Sequence, residues 1–91
     1  MLVLVTYDIP DNKRRLKLAT FLKGYGRRVQ KSVFECFITL TEMKKLGSQV
    51  EKRIQLPEDD VRLYWISADA LPRSVTLGGS LPAPPPKAYI I

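Results

Sequence analysis

Histidine is absent from this sequence of 91 residues, and cysteine occurs once, as Cys36. Without histidine, a Ser-His-Asp or Cys-His nucleophile system cannot form within one chain. With one cysteine besides, the usual His and Cys ligands of a zinc site are lacking, and no zinc site is expected. An internal disulfide is impossible, which fits a cytoplasmic setting. Long hydrophobic runs are missing too. Met1 to Val5 is the longest near the N-terminus, far short of the roughly 20 residues that span a bilayer. No signal-peptide pattern is visible, so no membrane partner is expected. Any catalysis must use carboxylates with a hard metal ion, or lysine, tyrosine or the lone thiol.

Acid is missing from one stretch in particular. Lys13, Arg14, Arg15, Lys17, Lys23, Arg27, Arg28 and Lys31 fall between residues 12 and 34, and no Asp or Glu falls among them. Eight of the fifteen cations are thus concentrated in one helix and the start of the next strand. A solvated helix face normally mixes both signs. Arginine suits bidentate contact with phosphate oxygens, and a helix N-terminus adds partial positive charge. The net charge of +6 and the pI near 9.7 agree with an anionic partner. The pattern points to a nucleic-acid backbone without choosing RNA or DNA.

The apolar residues place the elements. Leu2 to Tyr7 is β-rich and short, as expected of a strand buried on both faces. Pro10 stops the pairing, and Asp11 or Asn12 can cap a helix. Leu18, Phe21, Leu22 and Tyr25 make that helix's apolar stripe, which Gly24 and Gly26 end. Val29 to Leu40 is a second strand, bent near Lys31-Ser32. Phe34, Cys36 and Ile38 share one face of it, and Val33, Glu35 and Phe37 the other. Thr41 is the expected cap of a second helix, whose stripe is Met43, Leu46, Val50 and Ile54. Leu56 to Asp60 is a loop, with Asp59-Asp60 read as a turn. Val61 to Ser67 is a third strand and Arg73 to Leu77 a short fourth. Pro82, Pro84, Pro85 and Pro86 form a stiff spacer before an apolar tail, Lys87 to Ile91.

The expected class is α+β, a ferredoxin-like βαββαβ plan with an additional C-terminal strand. Residues 1–80 form the domain, and residues 81–91 a proline-rich linker and strand. Both helices of such a plan cover one face of the sheet, yet these strands carry large apolar residues on both. A second copy is the expected cover, two sheets face to face about a two-fold axis. The tail strand is expected to dock on the partner subunit, or else to fold back on its own sheet.

Asp8 ends strand one in phase with Leu2, Leu4 and Thr6. Two readings are open. It starts a turn before Pro10 and bonds local amides, or it reaches a metal or phosphate. Mg²⁺ needs few protein ligands and keeps several waters. Two copies of Asp8 facing each other across a two-fold axis would share one ion. Glu35 is a second acid of this kind, although its neighbours Phe34 and Phe37 fit packing as well. Tyr7, Phe34, Phe37, Tyr64 and Trp65 either stack on bases or fill core and interface. Cys36 reads as a small buried residue.

Three segments together resemble a known family. They are Val5-x-Tyr7-Asp8-Ile9, Gly26-Arg27-Arg28-Val29-Gln30-Lys31-Ser32-Val33-Phe34-Glu35-Cys36, and Glu58-Asp59-Asp60-x-Arg62-x-Tyr64. The chain resembles the small CRISPR-associated protein Cas2, a subunit of the spacer-acquisition machinery. The resemblance implies a ferredoxin-like homodimer with Asp8 of both subunits near the interface. It implies a metal-dependent endonuclease on RNA or double-stranded DNA, or a non-catalytic bridge between two dimers of the integrase Cas1. Carried over by position, Asp8 is the catalytic and metal-binding acid and Tyr7 its catalytic neighbour. Arg14 or Arg15, then Arg28 and Phe34, are the nucleic-acid contacts, to which the cationic cluster adds Arg27 and Lys31.

Overall fold

A computed structural model describes residues 1–79. The elements are β1 (Leu2–Asp8), α1 (Asn12–Leu22), β2 (Arg27–Gln30), β3 (Val33–Phe37), α2 (Leu40–Glu51) and β4 (Asp60–Ile66), followed by a 3-10 turn at Leu71–Arg73. The order β-α-β-β-α-β is the ferredoxin-like plan, with one antiparallel sheet ordered β2-β3-β1-β4. β1 is central and pairs antiparallel with both β3 and β4.

Period-two burial in β1 decides which face the helices take. Val3, Val5 and Tyr7 are buried and join Leu18, Ala19 and Leu22 of α1, Phe34 and Cys36 of β3, and Leu46 and Val50 of α2 in one core. Leu4, Thr6 and Asp8 lie on the opposite, open face. Their register partners there are Glu35 and Tyr64 for Leu4, Val33 and Arg62 for Thr6, and Asp60 for Asp8. Tyr64 is exposed, while Leu4, Val33, Phe37 and Ile66 are half-buried. The open face is therefore apolar at its Leu2 end and charged at its Asp8 end.

Three boundaries differ from the sequence expectation. The bend at Lys31-Ser32 is a full reversal that splits the long strand into the hairpin β2–β3. Neither residue is a glycine or asparagine, so the usual turn signal was missing. Helix α2 is capped by Thr39 rather than Thr41. The Thr39 hydroxyl accepts from the Glu42 amide at 3.1 Å, and the Glu42 carboxylate accepts from the Thr39 amide at 2.8 Å. This reciprocal capping box satisfies two orphan donors and starts the helix earlier than a cap at Thr41 allows. Finally, residues 74–77 are not a strand. Leu71–Arg73 instead makes a 3-10 turn, with Pro72 in its first positions. The hairpin had already supplied the missing strand. The predicted linker and tail strand at 81–91 lie outside the described residues.

Gly26 joins α1 to β2 because nothing larger fits. A Cβ there would press on the Glu35 carbonyl oxygen and lie 2.5 Å from Cys36 Sγ and 2.9 Å from Cys36 Cα. The absent side chain lets the start of β2 lie against β3. Among the described residues, no helix is long and apolar enough to cross a membrane.

Candidate nucleic-acid interface

Asp8 is the last residue of β1 and is exposed on the open face. The antiparallel register sets Asp60, the first residue of β4, directly opposite it. Cross-strand partners of this kind have Cβ atoms about 5 Å apart. Asp60 is answered on its own strand by Arg62, whose Nε donates to the two carboxylate oxygens at 3.2 and 3.4 Å. Arg62 also donates through Nη1 to the Tyr64 hydroxyl at 3.4 Å. The corner thus holds two carboxylates and one guanidinium.

Local sequence pattern does not single out Asp60, whose place opposite Asp8 depends on the β1–β4 register. Glu35 lies elsewhere. It pairs with Leu4, four residues back along β1, or about 13 Å at strand rise. Its carboxylate is 3.6 Å from Arg27 Nη2. Among the described residues, no three His, Cys, Asp or Glu side chains converge. Asp8 and Asp60 still fit the donor chemistry of Mg²⁺, which takes one or two carboxylates and fills its remaining positions with water and phosphate oxygens.

Tyr7 and Asp8 are sequence neighbours but point to opposite faces. Tyr7 is 6 % exposed, and its ring lies 6.4 Å from that of Phe34, inclined by 29°. Phe34 is fully buried, so it is core and not a stacking platform for bases. The Tyr7 hydroxyl emerges at the β2–β3 hairpin. There it donates to the Lys31 carbonyl at 3.5 Å and accepts from Arg28 Nη2 at 3.3 Å. The Arg28 guanidinium also lies 5.7 Å from the Phe34 ring centroid.

The cations of the cluster separate into engaged and free. Arg14 donates from Nε and Nη2 to the two oxygens of Asp59, at 2.7 and 2.9 Å, and from Nη1 to Gln55 at 2.9 Å. Asp59 is 3 % exposed and also accepts from the Gln55 amide. The bond to Arg14 holds its carboxyl below the usual aspartate range, and the Gln55 amide works the same way against burial. Asp59 is thus an anchor between the α2–β4 loop and the start of α1, where the sequence showed a turn. Arg15 is spent locally, donating from Nη1 to the Ile9 carbonyl at 3.0 Å and from Nη2 to Asn12. The bond to Ile9 fixes the loop immediately after Asp8. Arg28, Lys31, Lys13, Lys17 and Lys23 are exposed, and among the described residues no carboxylate forms a salt bridge with them.

Comparison with known proteins finds similarity over most of the chain. A family model described as CRISPR associated protein Cas2 matches residues 1–73. A protein of Synechocystis sp. named CRISPR-associated endoribonuclease Cas2 1 is 42% identical over 89 residues, covering 93% of this chain and 95% of its own. A Chloroflexus aurantiacus protein named CRISPR-associated endoribonuclease Cas2 3 is 37% identical, covering 100% of this chain and 98% of its own. The crystal structure of Streptococcus pyogenes Cas2 superposes with a TM-score of 0.74 at 36% identity, over 86% of this chain and 100% of that one. A chain of a partial Cas6-RT-Cas1–Cas2 complex gives a TM-score of 0.75 at 31% identity, over 99% and 98% of the two chains.

Proposed function

We propose a function from one premise: the chain belongs to the family of CRISPR associated protein Cas2. It is a nucleic-acid-binding homodimer of CRISPR adaptation that hydrolyses phosphodiester bonds at Asp8 with a divalent cation. The observation that carries this reading is the pair Asp8–Asp60, opposed at one end of a sheet face that no other element covers among the described residues. A second copy laid on that face would bury Leu4, Phe37, Tyr64 and Ile66 and bring its own Asp8 toward this one.

Asp8 would hold the cation, with the second copy's Asp8 or Asp60 as the further carboxylate. When bound, Mg²⁺ supplies an activated water and stabilises charge on the phosphoryl oxygens. Arg62 neutralises Asp60 beside the site. The Arg15 guanidinium, bonded to the Ile9 carbonyl, steadies the backbone that carries Asp8. Arg28, Lys31, Lys13 and Lys17 hold the phosphate backbone, and Arg27 joins them if its contact with Glu35 yields. RNA is the substrate favoured by the names of the relatives, which are called endoribonucleases, and duplex DNA is the other candidate.

A second reading has its own support. A structurally similar chain occurs in a partial Cas6-RT-Cas1–Cas2 complex. In that reading the protein is an architectural dimer that holds duplex DNA between Cas1 integrase dimers and performs no chemistry. A cleavage assay separates the two, with single-stranded RNA and duplex DNA as substrates in Mg²⁺ and in EDTA. The nuclease reading expects cutting that needs Mg²⁺ and falls in Asp8→Asn to the level left in EDTA, because the ion loses its carboxylate ligand, with binding kept. Binding without cutting, or cutting that survives Asp8→Asn, leaves the bridge.

A further inference from the structure

We infer that Tyr7 is a positioning residue for Arg28: its hydroxyl, held rigidly by the core, aims the Arg28 guanidinium at a backbone phosphate of the bound nucleic acid. The inference rests on the nucleic-acid-binding reading above and changes the role of Tyr7 within it.

The tyrosine is badly placed for chemistry at Asp8. Its ring lies under the helices, on the sheet face opposite Asp8, and is 6 % exposed. Its one proton is already directed at the Lys31 carbonyl, 3.5 Å away. What remains is a lone pair on the hydroxyl oxygen, and Arg28 Nη2 donates to it at 3.3 Å. The three groups form a chain of hydrogen bonds in one direction, from Arg28 through Tyr7 to the Lys31 carbonyl. Donors aligned this way polarise one another.

The oxygen is a fixed point. Tyr7 sits on the central strand, and its ring packs beside Phe34 at 6.4 Å. Arginine, by contrast, sits on a long flexible stem and loses much rotamer freedom when it binds. Here the hydroxyl holds one end of the guanidinium, and the face of Phe34 lies 5.7 Å from its carbon. Both restraints are neutral and leave the full positive charge. Among the described residues, most of the guanidinium donors remain open for a phosphate fork. No other arginine in the cationic stretch is held so. Arg14 and Arg27 meet carboxylates, and Arg15 is spent on Ile9 and Asn12. The hydroxyl also bonds the Lys31 carbonyl, so Tyr7 fixes the hairpin turn and the direction of its guanidinium together.

The test is a double-mutant cycle on duplex-DNA affinity, measured by fluorescence anisotropy over a range of KCl concentrations. Proteins are wild type, Tyr7→Phe, Arg28→Ala and the double variant. Tyr7→Phe keeps the ring and removes only the oxygen. We expect it to weaken binding by about fivefold, the order of one hydrogen bond's net contribution, and Arg28→Ala by about tenfold with a shallower salt dependence. In the Arg28→Ala background, Tyr7→Phe should change nothing further. If Tyr7→Phe binds as wild type while Arg28→Ala is weakened, Arg28 needs no positioning and the inference fails. Independent, multiplying losses overturn it too. If Arg28→Ala binds as wild type, the failure lies deeper, in the assignment of this hairpin to the nucleic acid. Should Tyr7→Phe not fold, Arg28→Lys serves: it keeps the charge but loses the planar fork. Wild-type affinity in that variant would equally overturn the inference.

Discussion

Arg14 and Arg28 belong to the same run of cations, yet they end in opposite situations. Arg14 is closed by a fork onto Asp59, a buried carboxylate 45 positions away in sequence. Arg28 meets a neutral hydroxyl and an aromatic face and stays exposed. One guanidinium is structural cement between α1 and the α2–β4 loop. The other is available. Positive charge in a sequence is therefore not the same as positive charge on offer. The difference is made by acids that the fold brings from elsewhere in the chain.

That contrast can be broken or sharpened by experiment. The largest effect is expected at Gly26, which lets the strand carrying Arg28 lie on β3. Gly26→Ala would force a Cβ onto Glu35 and Cys36 and should cost about 3 kcal/mol of stability, read by urea unfolding. Next comes Arg14→Ala. It leaves Asp59 buried without its fork, and Tm should fall by roughly 5 °C or more, while the salt dependence of duplex binding stays as in wild type. Arg28→Ala should do the reverse, weakening binding about tenfold and making the salt slope shallower by about one at unchanged Tm. A fall in Tm at Arg28→Ala, or a flatter salt slope at Arg14→Ala, would erase the distinction.

The smallest expected effect is in pH. The carboxyl of Asp59 is lowered in the folded state, chiefly by its bond to Arg14. Its stabilising contribution is complete above the unfolded aspartate value, about pH 4, and is lost as pH falls through the lower folded value. Acid unfolding curves of wild type and Arg14→Ala should therefore converge below about pH 4 and separate above it. Curves that stay equally far apart at low pH would mean that the fork does not act through this carboxylate.

Much of the frame was legible because it rests on periodicity. The stripe of Leu18 and Leu22, the stripe of Leu46 and Val50, and the alternation through Phe34, Cys36 and Ile38 all lie in the observed core. Misplaced features depended on exact turn chemistry or on distant partners. The Lys31-Ser32 reversal carries no glycine, and the α2 cap, Thr39, lies two residues before the expected Thr41. Asp59 reads as a turn because its partner, Arg14, lies 45 positions away in sequence. Asp60 gained meaning only when the register set it opposite Asp8. Asp8 itself was found from its place at a strand's end, and Arg28 from the acid-free run around it. Which cations were free was not legible, since that is decided in three dimensions.

The lone cysteine has a practical consequence. Cys36 is wholly enclosed between the sheet and the helices, and burial pushes its thiol up to about 12. Thiolate is the reactive form, so a folded molecule will ignore alkylating reagents at neutral pH, and an opened one will not. The rate at which maleimide consumes Cys36 is therefore a built-in clock for opening of the β3 core. Because the native thiol stays silent, a second cysteine placed on the exposed hairpin could carry a dye without any need to remove the first.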